Sequence, residues 1–106
     1  METIDILRSA RALIDTPEKW TRGTNARNAS GRSVPFDSPS AVCFCAYGAV
    51  LRASGGEIVL ACQRLWEALP AGWPDIFPLY NDYPDTTYAD VLALFDRAIA
   101  AEEAKQ

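Results

Sequence analysis

The stretch "SAVCFCAYGAV", residues 40–50, decides how the rest of the chain is read, because it holds two of the three cysteines inside an unbroken apolar run. Ser38-Pro39 ahead of it offers an N-cap and a proline suited to the first position of a helix. Gly55 and Gly56 behind it are natural C-cap residues. Between these signals, residues 41–51 are all apolar or small. Read as a helix, the run is apolar on every side and belongs in the middle of a bundle. It is too short to cross a bilayer, which takes about 20 residues. On a helix, the Cys43-x-Cys45 spacing sends the two thiols roughly 200° apart. A zinc site would also want four ligands, and the chain has three cysteines and no histidine. Packing of the core is therefore the favoured reading of this pair, with Gly48 allowing a neighbouring helix to approach closely.

On the N-terminal side, residues 2–14 carry Ile4, Leu7, Ala10 and Ile14 on one helical stripe, widened by Ile6 and Leu13. Thr16 and Pro17 then start a short helical turn that delivers Trp20 to the core. Residues 21–37 are polar, rich in Gly, Ser and Asn, and without apolar periodicity, which predicts a long mobile loop. On the C-terminal side, residues 57–69 form an amphipathic helix with Ile58, Ala61, Cys62, Leu65, Trp66 and Leu69 along one stripe. Four prolines in residues 70–85 preclude a regular helix. The apolar residues among them, Trp73, Ile76, Phe77, Leu79 and Tyr80, require that segment to pack on the bundle. The last helix carries Tyr88, Val91, Leu92, Phe95, Ala98 and Ile99 at helical spacing, opened by a capping box from Thr87 to Asp90. Its tail, about 102–106, is expected to fray. The predicted fold is all-α: a single-domain bundle over 1–106 of four main helices plus a short helical turn.

Composition sets the limits on function. Residues 1–53 carry seven basic and five acidic side chains, whereas residues 54–106 carry three basic and nine acidic ones. The acidic half disfavours a nucleic-acid binder, which relies on Lys and Arg to neutralise phosphates. The absence of histidine removes the commonest general base and the Ser-His and Cys-His pairs. With no basic-then-apolar leader at the N-terminus, the expected compartment is the cytoplasm, the cysteines being free thiols.

Taken together, Trp20 with Gly23, Ala41-Val42 with Cys45, Gly48-Ala49, Asn81-Asp82, Thr87, and Val91-Leu92 with Phe95 and Ala98 resemble a family of small proteins of unknown function from bacteria and their phages. The order of these short motifs matches over most of the chain. Tyr80 stands where that family usually has Trp, and Asp85 where a Gly often precedes the capped helix. The resemblance implies a helical domain carried by phages or other mobile elements, and it implies no chemistry.

Two surfaces remain as candidate sites. Arg22, Arg27 and Arg32 lie in a stretch with no acid before Asp37 and suit recognition of an acidic partner, or else form a solvated loop. Asn81 and Asp82 either brace a turn through their own side chains or form a polar point in a pocket lined by Trp73, Tyr80 and Tyr83. The leading expectation is a protein-interaction module acting on a host macromolecule, with no metal, cofactor or catalytic residue. The alternative is a small-molecule site or minor enzyme around Trp20, Tyr80, Asn81 and Asp82.

Overall fold

The computed structural model describes residues 2–56, 59–70 and 81–105. Helix α1 (Thr3–Leu13) leads into a 3-10 turn (Pro17–Lys19). Three short strands follow, β1 (Ala26–Asn28), β2 (Ser33–Val34) and β3 (Ala41–Phe44). Helices α2 (Ala46–Ser54), α3 (Val59–Glu67) and α4 (Tyr88–Ala104) complete the described elements.

The expected all-α bundle is thus corrected to an α+β domain: among the described residues, α1 to α4 stand beside a three-stranded antiparallel sheet of order β2-β1-β3. The error lies in the opening stretch. Its first half is strand and its second half helix, with the change at Cys45. A short apolar run does not distinguish a buried strand from a buried helix by periodicity, and Val42 and Phe44 are residue types enriched in strands. Ser38-Pro39 caps no helix; both precede β3 in a turn. The helix begins after Cys45, whose Sγ accepts a hydrogen bond from the Gly48 N–H at 3.2 Å, a thiol standing where Ser, Thr, Asp or Asn is usual.

The polar stretch 21–37, expected as a mobile loop, supplies the β1–β2 hairpin. The Asn28 side chain holds its turn by accepting from the backbone N–H groups of Ser30 and Arg32, at 3.0 and 3.1 Å. Ala26 pairs with Val34 on one side and Phe44 on the other, and this face turns to the core. From Arg27↔Cys43 the register passes to Asn28↔Ala41, so Val42 is a bulged residue on β3. Bulges commonly re-aim a side chain, and Val42 is 51% exposed.

The helical stripes place the core. Ile4, Leu7, Ala10 and Ile14 are buried from α1 and its end. Ala46, Ala49 and Val50 are buried from α2, and Val91, Leu94, Phe95 and Ala98 from α4. Gly55 ends α2 in the left-handed conformation at φ 68°, as its glycine predicts. The Thr87–Asp90 capping box is present in both directions. Trp66 departs from its expected place in the α3 stripe and is 45% exposed. Helix α4 runs on to Ala104, into the tail of about 102–106 expected to fray. Its last turns are stitched to α3 by Arg64–Glu102 at 2.6 Å and to α1 by Arg8–Glu103 at 2.9 Å. Among the described residues, no helix is long and apolar enough to cross a membrane.

Candidate functional site

The polar residues of interest gather at the end of the molecule where the sheet meets the start of α2. Asn81 is their centre and is fully buried. Its Oδ1 accepts from Trp20 Nε1–H at 2.7 Å and from the Ala46 N–H at 2.9 Å. Its Nδ2 donates to the Thr21 carbonyl at 3.2 Å and to Asp82 Oδ1 at 2.9 Å. A carboxamide has two acceptor and two donor positions, and here all four are used. One side chain therefore ties together the chain after the 3-10 turn, the first turn of α2 and the segment before α4. Asp82 extends the tie by accepting from the Gly23 N–H at 3.0 Å.

Two of the three candidate arginines are drawn into the same construction. Arg22 donates to the carbonyls of Pro84 and Thr86 and lies over the Trp20 ring at 4.9 Å. Arg27 donates to Thr21 Oγ1, to the Gly31 carbonyl and to the Arg22 carbonyl, at 2.9, 3.1 and 3.0 Å. Arg32 differs. It is exposed at the hairpin turn, and its guanidinium has no hydrogen bond or ion pair among the described residues. Tyr83 is 44% exposed beside Asp82. Trp73 and Tyr80 lie outside the described residues. Trp20 is half-buried against the core and tilted towards Tyr88, with ring centroids 6.0 Å apart.

Sequence reading missed the neighbours that give this cluster its shape. Gly48 is one: a Cβ there would sit 1.9 Å from the Asn25 carbonyl oxygen, so the close approach anticipated for this glycine is to a loop backbone and not to another helix. Cys45 is another. Burial pushes its thiol pKa up, against the pull of the Gly48 and Tyr47 backbone N–H groups, and the Asp82 carboxylate adds to the rise. A cysteine in such surroundings is a poor nucleophile despite its place at a helix N-terminus. Burial likewise pushes Cys62 up to about 11. Among the described residues, no three His, Cys, Asp or Glu side chains gather as a metal site would require. Two of the four partners of Asn81 are backbone groups, which residue identity does not reveal. The nearest legible hint was the presence of Trp20 and Asn81, two residues with polar groups in apolar settings, 61 positions apart.

The chain belongs to a family of unknown function, DUF6197, which it matches over residues 1–101. No curated protein and no solved structure matches it.

Proposed function

We propose that the protein is a non-catalytic interaction module that recognises a protein partner through the turn end of its sheet. One observation carries this reading: Val42 and Arg32 are both exposed at that end, the first on a bulge and the second with no hydrogen bond or ion pair to its guanidinium among the described residues. The register places them together. Asn28 receives Arg32 across the hairpin, through the Asn28 N–H to Arg32 carbonyl bond, and faces Ala41 on its other side. Two strand spacings, about 10 Å, therefore separate Arg32 from the bulge, within the reach of one small epitope. Ala29, Ser30 and Ser40, all exposed, complete the patch.

An apolar side chain near a guanidinium with no partner among the described residues suits a partner that offers a carboxylate next to an apolar contact. Arginine is favoured at interfaces for its forked donors, which bind a carboxylate in two places. The strands themselves are poor templates for adding another strand. Pro35 follows β2, the bulge interrupts β3, and the Thr21 N–H already takes the Phe44 carbonyl at 3.0 Å. The partner is thus held by side chains. The likeness to small proteins of bacteria and their phages supports a partner from a host cell. A catalytic or small-molecule role centred on Asn81 draws no support from the geometry, because each of its polar positions is occupied.

The test is capture from bacterial lysate with a photo-reactive residue at position 42, comparing the parent with Arg32→Glu and Val42→Asp. A partner cross-linked by the parent, lost with Arg32→Glu and kept with Ala101→Lys on α4 supports the reading. Equal capture by all four proteins removes it; the 42 substitution is scored by pull-down in place of cross-linking.

A further inference from the structure

Residues 81–86, helical at Asn81 and Asp82 and irregular after them, cross the polar end of the molecule as a strap, and their anchoring differs in kind from that of α1, α2 and α4. Only Asn81 and Thr86 are buried; residues 82–85 are exposed. No side chain of the strap belongs to the apolar core cluster. Its grip is a set of hydrogen bonds: the four of Asn81, the Gly23 N–H on Asp82, and the Arg22 guanidinium on the carbonyls of Pro84 and Thr86. All but one run to two places, the Trp20–Gly23 segment and the first turn of α2. The exception, Asn81 to Asp82, lies within the strap. Hydrogen bonds exchanged against water contribute modestly each, and segments with few buried apolar contacts open below the cost of global unfolding. Because the bonds share Asn81 and Arg22, losing one weakens its neighbours, which favours release in a single step.

We infer that the strap 81–86 opens as a unit while the helical core stays folded, uncovering Trp20 and the first turn of α2. Cys45 sits beside the closed strap: it is 5% exposed, one residue before the Ala46 N–H that Asn81 holds, and close enough to the Asp82 carboxylate to feel its charge. That thiol is a built-in reporter of opening. The inference is independent of the Arg32–Val42 patch and stands or falls separately from it.

The test uses the full chain with Cys43→Ser and Cys62→Ala, leaving Cys45 as the single thiol. Its labelling by an aromatic disulfide reagent is followed against denaturant, beside helix loss by circular dichroism. The expected result is labelling with a shallow denaturant dependence, faster than global unfolding permits. Asp82→Ala and Arg22→Ala should each speed it about tenfold with helix content kept, the effect of losing one such bond set. Labelling that follows global unfolding in rate and denaturant dependence overturns the inference. Hydrogen exchange on the unaltered protein gives a second reading that no variant can spoil. The Gly23 and Ala46 amides should exchange at least about tenfold faster than those of Ala49 and Val91. Equal protection at all four sites would again overturn it.

Discussion

The helical end and the sheet end of this molecule close by different means. In the helical end, Leu7, Ile14, Val50, Leu94 and Phe95 meet with none of their surface left to water to speak of, and polar groups take little part. In the sheet end, side chains seize backbone instead. Asn81, Arg22, Arg27 and Arg52 between them hold the carbonyls of Thr21, Pro84, Thr86, Gly31, Arg22, Phe36 and Ser38. Burial of apolar surface is non-directional and tolerates small shifts. Hydrogen bonds to fixed backbone atoms tolerate few, and leave a costly group behind when one partner goes. A segment dense in arginine and glycine can therefore be well ordered without a core of its own.

Substitutions in the two ends should separate these modes. Phe95→Ala opens a cavity in the apolar end and should cost about 3–5 kcal/mol in denaturant unfolding, with the unfolding still a single transition. Asn81→Ala strands the Trp20 Nε1–H and the Ala46 N–H, and should cost about 1–3 kcal/mol for each buried group left without a partner. Asn81→Asp sharpens the point, since it places a carboxylate where Nδ2 now donates to the Thr21 carbonyl and to Asp82. Its stability should recover as pH falls and the new acid is protonated; a flat pH profile would mean that the donors of Asn81 matter little.

At the junction of the two ends, Thr87→Ala removes one side of the capping box and should lower stability by about 1 kcal/mol. The smallest effect expected belongs to Cys62, whose raised thiol pKa favours the protonated form in the folded protein. Its contribution is complete below the unfolded thiol pKa near 9 and lost as pH climbs towards about 11, where the folded thiol titrates. Cys62→Ala should flatten thermal stability between those limits, and an unchanged slope would assign the loss to other groups.

How much of this was legible in the residues divides along the same line. The stripes of α1 and α4, the Gly55 cap and the Thr87 box are local patterns, each complete within a few residues, and each formed as read. The hairpin was not legible, because Ala26–Asn28 and Ser33–Val34 are too short to show alternation and the β3 partner of Ala26–Asn28 lies about 15 residues further on. The site was legible in part. Asn81 bracing its own turn was one of the two readings open to it, and the brace proved to reach much further than a turn. Arg22 and Arg27 looked alike with Arg32 as cations on a loop, and only their backbone partners set them apart.

By itself, the sequence determined which faces of α1 and α4 turn to the core and where the last helix begins, since those depend on spacing and capping within a turn or two; that strand residues Ala26 and Phe44 join the same core it did not. It also established that no histidine would take part in any chemistry. Tertiary structure decided the identity of "SAVCFCAYGAV". Pairing with Ala26–Asn28 made its first half a strand, and the Asn81 carboxamide at the Ala46 N–H, with the Cys45 thiol at the Gly48 N–H, marked where its second half turns to helix. An apolar run satisfies either backbone equally well, and the partner that supplies the missing hydrogen bonds makes the choice.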